Sequence, residues 1–125
     1  MSISALSVEA QRVMSTNDSI IYSKLLRMNF KKYINKPASF FIANLGYPYA
    51  RAIPLDRKPG FIYSVLFRFS DNLSIQIRVK NLGQKEKLNF NYKFDPKIFL
   101  SKKTEWICLT YAGTCIKGCE EVYCE

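Results

Sequence analysis

The fold of this chain is decided by residues 61–79, which read FIYSVLFRFSDNLSIQIRV. Side chains alternate with a period of two on both sides of Ser70-Asp71-Asn72, a run typical of turns. The pattern predicts an antiparallel hairpin with one apolar and one polar face. The predicted apolar face consists of Phe61, Tyr63, Val65, Phe67, Phe69, Leu73, Ile75, Ile77 and Val79.

Further strands are expected on both sides of this hairpin. After Pro37 the sequence shifts to a period of two, beginning with a short apolar run at 39–44, and a third alternating run covers 88–94. Asp95 and Pro96 predict the N-cap and first residue of a short helix that reaches Leu100. Residues 105–111 and 121–124 predict two last strands around a loop at 112–120.

The N-terminal part of the chain predicts a helix. From Asp18, a good N-cap residue, apolar side chains recur at Ile21, Leu25 and Met28. Lys24, Arg27 and Lys31 are spaced by three and four residues, so a continuous helix would place them on one basic face. These three cations are candidate binding residues.

Together these patterns predict an α+β fold, in which an N-terminal amphipathic helix packs on a meandering antiparallel sheet of about five strands with a Cys-rich C-terminal hairpin. The 125 residues are expected to form one domain. Its parts are a helical region at 1–36, a sheet at 38–111 and a Cys-rich acidic tail at 112–125. The sequence contains no apolar run of about 18 residues, so no membrane span is expected.

The charge is divided unevenly along the chain. The formal net charge is +9, with 19 Lys and Arg against 10 Asp and Glu, yet four of those acids fall within residues 105–125. A basic body of this kind favours a nucleic acid or another polyanion as partner. Histidine is absent, and no phosphate-binding or dinucleotide-binding glycine motif is present, so we expect a protein that is not an enzyme.

The compartment is inferred from the start of the chain. Residues 1–15 lack the basic, apolar and small-residue pattern of a secretory signal, and the chain begins with Met1. We therefore expect an intracellular, cytoplasmic protein.

The polar face of the predicted sheet is the first candidate site. If the third alternating run lies beside the hairpin, this face gathers cations and amides without any acid. Cations neutralise phosphates, and amides read base edges. The residues concerned are Arg68, Gln76, Arg78, Asn89, Asn91 and Lys93. An ordinary solvated sheet face is the alternative interpretation.

A second candidate site is the stretch 46–60, whose three prolines and two glycines predict an irregular loop. Tyrosine rings can stack on bases while cations contact phosphates. The residues concerned are Tyr47, Tyr49, Arg51, Arg57 and Lys58. The same side chains also suit a protein partner, and the tyrosines could instead pack back onto the sheet. The lysines within residues 80–103 add to the positive net charge that favours a polyanion as partner. Lysines of this kind also occur on ordinary soluble surfaces.

The four cysteines lie in the last 18 residues. An antiparallel pairing of 105–111 with 121–125 predicts two nested disulfides, Cys108 with Cys124 and Cys115 with Cys119. A zinc site formed by all four thiolates is the alternative, although the spacing lacks paired C-x2-C knuckles. No other cofactor is expected. Unbonded thiols remain a third interpretation.

Two functions remain open from the sequence. The first is a small basic module that binds single-stranded RNA or DNA through the polar sheet face and the Tyr/Arg loop. The second is a protein-interaction or structural module, of a viral or surface-associated kind, stabilised at its C-terminus by disulfides or zinc. The oligomeric state does not follow from either.

Overall fold

The computed structural model describes residues 14–58, 61–80 and 96–118. The helices are α1 (Thr16–Arg27), a 3₁₀ helix (Phe30–Tyr33), α2 (Ala38–Leu45) and α3 (Pro96–Leu100), and the strands are β1 (Arg51–Lys58), β2 (Phe61–Arg68), β3 (Leu73–Val79), β4 (Thr104–Tyr111) and β5 (Thr114–Lys117). The strands form an antiparallel sheet in the order β1-β2-β3-β4-β5. The predicted α+β fold is confirmed, as is the short helix that begins at Pro96.

The hairpin predicted within residues 61–79 is confirmed. Val65 lies opposite Ile77 and Phe67 opposite Ile75, so the apolar side chains of β2 and β3 share one face. The turn is closed by Ser70, whose Oγ accepts hydrogen bonds from the backbone N–H groups of Asn72 and Leu73. The period of two therefore sets both the register and the buried face.

The helices pack on the apolar face of this sheet. Leu25 of α1, Phe41 of α2 and Phe99 of α3 are fully buried in one core with Ile77 and Leu109 of the sheet. Within the described part of the chain, no helix has the length and apolar character needed to cross a membrane.

The N-terminal helix differs from its prediction at both ends. Its N-cap is Ser15, whose hydroxyl accepts from the Asp18 N–H at 3.1 Å, so the prediction of Asp18 as N-cap is wrong. Asp18 is buried instead, and its carboxylate accepts from Ser70 Oγ at 2.7 Å, which ties the helix to the β2–β3 turn. The helix ends at Arg27, after which Met28 is extended.

The basic face predicted for Lys24, Arg27 and Lys31 does not form on one continuous helix. The side chain of Asn29 accepts the Lys31 N–H at 3.1 Å, and a 3₁₀ helix begins there instead of a further α-helical turn. Lys31 therefore lies on a different element from Lys24 and Arg27, and the predicted three-residue face is wrong.

The run after Pro37 is helical, so its assignment to the sheet region 38–111 is wrong at this point. Ala38, Phe41 and Leu45 are all fully buried, and their spacing of three and four residues is that of a helix face. Gly46, with φ of 79°, ends the helix in the left-handed conformation that its lack of a side chain permits. A short apolar run does not distinguish a buried strand from a helix by its period.

The stretch 46–60 is not an irregular loop, because β1 occupies Arg51–Lys58. Pro54 lies within β1 opposite Val65, although proline cannot donate a ladder hydrogen bond. Since β1 is an edge strand with β2 as its one neighbour in the described sheet, the missing donor is tolerated.

The C-terminal hairpin has a tighter turn than predicted. Ala112 and Gly113 have φ of 52° and 80°, as in the type I′ turns that join two strands directly. Thr110 therefore faces Cys115, and the predicted loop at 112–120 is wrong because β5 begins at Thr114. The predicted strand at 121–124 lies outside the described residues.

The end of β5 is fastened to the end of α1 by Lys117. Its Nζ donates to the carbonyls of Leu25 at 3.0 Å, Leu26 at 2.9 Å and Met28, and it lies 4.4 Å from the centroid of the Phe30 ring. Burial lowers the pKa of the Lys117 ammonium, while the helix carbonyls and the ring favour its charged form. The cation thus satisfies carbonyls that the helix end leaves without partners.

We predict that Lys117→Met lowers the free energy of unfolding by about 1–3 kcal/mol, because the part-buried carbonyls of Leu25 and Met28 lose their donor. Urea denaturation measures the change. Lys32→Met on the exposed side of the 3₁₀ helix is the matched control, and it should change stability by less than about 0.5 kcal/mol. Equal effects of the two substitutions would contradict the capping role.

A second prediction compares two glycines that both have φ near 80°. A Cβ at Gly118 would lie 2.2 Å from the Ile107 carbonyl oxygen, whereas a Cβ at Gly113 would meet nothing within 4 Å. Gly113→Ala should cost about 1–2 kcal/mol for the left-handed backbone alone. Gly118→Ala should cost about 1–3 kcal/mol more, because the backbone of β4 must move. Thermal denaturation of the two variants measures the difference, and equal costs would refute the close approach of Gly118 to β4.

Candidate nucleic-acid interface

Lysines from three separate parts of the chain meet at one end of the sheet. The Lys80 N–H, just after β3, donates to the Lys103 carbonyl at 2.9 Å. The Thr104 N–H, at the start of β4, donates to the Lys36 carbonyl at 2.8 Å. We call this region, formed by Lys36, Lys80, Lys102 and Lys103, the basic end.

Local backbone geometry places these lysines. Asn35 adopts φ of 69°, a left-handed conformation that asparagine tolerates, and its N–H donates to the Thr104 carbonyl at 2.8 Å. The segment from α3 to β4 is held from the other side, because the Ala38 N–H donates to the Lys102 carbonyl at 2.9 Å. Pro37 and Lys103 form an isolated antiparallel bridge. The loop before α2 therefore runs beside the start of β4.

The described side chains at the basic end leave cations accessible to a ligand. Lys36 and Lys103 are exposed, and Lys80 Nζ donates to Asn35 Oδ1, a neutral acceptor that does not cancel the ammonium charge. Lys31 and Lys32, both exposed, lie on the 3₁₀ helix that precedes Asn35.

The acids with described side chains are far from this surface, with one exception. Asp18 and Asp71 lie at the β2–β3 turn, at the opposite end of β3. The seven residues of β3 span about 23 Å, which exceeds the Debye length of about 8 Å at physiological ionic strength. The exception is Glu105, which pairs with Arg78.

The predicted polar sheet face is only partly formed. The described strands β1 and β4 lie on the two sides of the β2–β3 hairpin. The run 88–94, which was expected beside it, lies outside the described residues. Asn89, Asn91 and Lys93 lie outside the described residues. Arg68, Gln76 and Arg78 do share one face, since they pair with Ser74, Leu66 and Ser64 in turn.

This face contains an acid, contrary to the prediction. Arg78 Nε donates to Glu105 Oε1 at 2.9 Å, and the guanidinium carbon lies 5.4 Å from the centroid of the Trp106 ring. Gln76 Nε2 donates to Ser64 Oγ at 3.0 Å. Arg78 and Gln76 are thus engaged within the protein.

At the other end of the same face, Arg51 of β1 lies directly opposite Arg68 of β2. Like charges that face each other across two strands are destabilising, and an anion between them would relieve the repulsion. This pair joins one residue from each predicted site. The side chains of Arg57 and Lys58, which also belong to β1, lie outside the described part of the structure.

The two tyrosines of the predicted Tyr/Arg loop belong to the core side of the sheet. Tyr49 contacts Phe67 edge to face, with ring centroids 4.9 Å apart, and Tyr47 packs against the same core. Lys24 Nζ lies 5.7 Å from the centroid of the Tyr47 ring. Because Arg51 projects from the opposite face, the tyrosines and this arginine do not form one site.

The cysteines are described in part. Cys108 is disulfide-bonded and buried, and its sulfur lies 3.9 Å from that of Cys115, far beyond a covalent length of about 2.05 Å. Cys119 and Cys124 lie outside the described residues, so both predicted disulfides stay predictions, and the zinc alternative stays a prediction that requires Cys108 in its reduced, thiolate form. Within the described residues, no group of three or more His, Cys, Asp or Glu side chains could hold a metal ion.

The lysines that form the basic end are not among the binding residues predicted from the sequence. Lys36 ends the predicted helical region 1–36, and Lys80, Lys102 and Lys103 fall in a lysine-rich segment that suits any soluble surface. Lys36 lies 44 residues before Lys80, and Lys80 lies 23 residues before Lys103, so it is the pairing of β3 with β4 and the backbone bonds of β4 to the loop before α2 that bring them together.

Comparison with known proteins found no matching protein-family model, no matching curated protein and no matching solved structure.

The packing of Tyr49 generates a prediction that separates stability from binding. Tyr49→Ala should lower the free energy of unfolding by about 1–3 kcal/mol through loss of buried surface and of the Phe67 contact. Tyr49→Phe, which keeps the ring, is the control and should stay within about 0.5 kcal/mol of the original chain. Affinity for an oligonucleotide, measured well below the melting temperature, should be unchanged in both. A loss of affinity in Tyr49→Ala without loss of stability would contradict the core role of this ring.

Proposed function

We propose that the protein binds single-stranded RNA or DNA without catalysing a reaction, and that the basic end forms the contact with the phosphates. The observation that carries the proposal is the convergence of Lys36, Lys80 and Lys103 through backbone hydrogen bonds at a place where the nearest described acid already pairs with Arg78.

The chemistry of this surface suits a phosphate backbone. Lysines on flexible stems attract successive phosphates whatever the base sequence, and binding releases the counterions of the nucleic acid. Lys31 and Lys32 on the adjoining 3₁₀ helix extend the charge toward α1. Contacts of this kind position a strand through its phosphates and do not read its base sequence.

The Arg51–Arg68 pair offers a second contact for the same ligand. It lies on the polar face of the sheet, near the end of β2 that is remote from Lys80. We treat the pair as an auxiliary phosphate site and the basic end as the main one.

The alternative function, a protein-interaction module, is supported by a different observation. Several large apolar side chains of the helices are about half exposed. They are Ile20 and Leu26 of α1, Phe40 of α2 and Ile98 of α3. Exposed apolar residues of this kind favour a protein partner when they form a continuous patch.

Salt dependence separates the two functions. We predict that affinity for a fluorescent single-stranded 12-mer falls steeply from low to moderate salt, because each phosphate contact adds about 0.7 to the slope of log K against log salt. The triple variant Lys36→Gln, Lys80→Gln, Lys103→Gln should reduce that slope by about 2. Fluorescence anisotropy at four or more salt concentrations measures both quantities.

The matched control removes the same charge elsewhere. Lys24→Gln, Arg27→Gln together with Lys97→Gln changes the net charge equally but leaves the basic end intact. It should retain most of the slope. Equal losses in the two triple variants would show that only net charge matters, and no binding at the low-salt end would refute the proposed function.

A further inference from the structure

Arg51 and Arg68 form a pair of cations on the polar face of the sheet. They lie directly opposite each other in β1 and β2, and side chains in such positions start about 5 Å apart. Ala52, the residue after Arg51, packs against the core, so Arg51 projects from the face away from the helices, as does Arg68. Two guanidinium groups therefore share one small area of this face.

The backbone fixes where both side chains begin. Just before Arg51, the Ala50 N–H donates to the Arg68 carbonyl at 2.7 Å. Just after Arg68, the Phe69 N–H donates to the Leu73 carbonyl at 2.9 Å. Because the strands already hold both arginines, little backbone freedom is lost when a ligand binds between their side chains.

The charge of the pair is not cancelled within the described part of the chain. Neither arginine forms an ion pair with a described acid. Of the two acids at the nearby β2–β3 turn, Asp18 is buried and accepts from Ser70, and Asp71 is exposed. Arg51 is exposed and Arg68 is half-buried, so a ligand reaches both guanidinium groups.

A phosphate monoester is the anion that best matches two adjacent arginines. It carries about −1.5 to −2 charge at pH 7 and three terminal oxygens, all of which accept hydrogen bonds. Each guanidinium group offers several N–H donors in a fork that suits phosphate oxygens. A phosphodiester within a strand carries only a single negative charge. The pair therefore favours the end of a phosphorylated strand over its interior.

The distance from the pair to the basic end suits a short strand. Lys80 lies six residues beyond Ser74, the partner of Arg68, so about 20 Å separates the two places along β3. At about 3.4 Å per phosphate, a strand of 12 nucleotides measures about 40 Å. One such strand is long enough to place its end at the pair and its interior at the basic end.

We propose that Arg51 and Arg68 bind a phosphate monoester, and that its source is the terminal phosphate of the strand held at the basic end. The assignment to a strand end rests on the proposed function, whereas the binding of a monoester by the pair does not. The inference makes the auxiliary phosphate contact a site that distinguishes phosphorylated strand ends.

Competition binding to the full-length protein tests the preference for a strand end. The competitors are a dT 12-mer, the same 12-mer with a 5′-phosphate or a 3′-phosphate, and an unphosphorylated dT 14-mer. The 14-mer adds two phosphodiester charges and so matches the charge of a terminal phosphate. One phosphorylated 12-mer should bind about three- to tenfold more tightly than the 14-mer, as expected for two exposed ion pairs. Equal affinities of both phosphorylated 12-mers and the 14-mer would overturn the assignment to a strand end.

Substitution of the pair tests its part in the preference. The double variant Arg51→Gln, Arg68→Gln should bind the phosphorylated 12-mers no more tightly than the 14-mer. The control Arg27→Gln, Lys97→Gln removes the same charge from α1 and α3 and should keep the preference. A preference that persists in the first variant, or that is lost in both, would contradict the role of the pair. Circular dichroism establishes that both variants are folded.

A free nucleotide tests the pair without a strand. dTMP carries a phosphate monoester and thymidine carries none, so dTMP alone should shift the amide signals of Arg51 and Arg68 in ¹H–¹⁵N spectra. If the strands bind according to charge alone and dTMP leaves these signals unmoved, the pair takes no monoester and phosphate binding at the basic end stands. If no strand binds at low salt, the proposed function falls, and the response to dTMP still decides whether the pair takes a monoester.

Discussion

The structure depends on the register of the three central strands. Val65, Ile77 and Ile107 lie side by side across β2, β3 and β4, as do Phe67, Ile75 and Leu109 in the next row. A shift of one residue in any of these pairings would turn a row of buried side chains to the opposite face, away from the helices. The helices can cover one continuous apolar surface only because this register holds.

The same register determines where the lysines of the basic end lie. Alignment of β3 with β4 brings the residues after β3 beside those before β4, and this places Lys80 against Lys103. The loop before α2 is drawn to the same place by its backbone bonds to Thr104. The basic end is therefore a consequence of the same strand pairing that aligns the buried side chains.

The sequence predicted those features that depend on local periodicity. The β2–β3 hairpin and the helix at Pro96 follow from alternation and from turn or cap residues, and the structure has both. The strand in 51–58 was missed because its proline and neighbouring glycines suggest a loop, and only its position at a sheet edge makes Pro54 acceptable. The helix at 38–45 was missed because its buried side chains form a run too short for its period to decide.

The candidate site was harder to predict, for a physical reason. Its lysines resemble the solvated lysines of any small basic domain until long-range pairing brings them together. Tyr47 and Tyr49 have the composition of a stacking surface, yet burial against the core governs where they lie.

The most direct test of the account is to map the surface that a single strand contacts. Two-dimensional ¹H–¹⁵N spectra of the labelled protein, recorded with increasing dT 12-mer, report this residue by residue. We predict that the largest amide shifts fall at Lys31, Lys36, Lys80 and Lys103, with small shifts at the β2–β3 turn. Shifts concentrated at Tyr47 and Tyr49, or on the exposed apolar residues of α1 and α2, would contradict it.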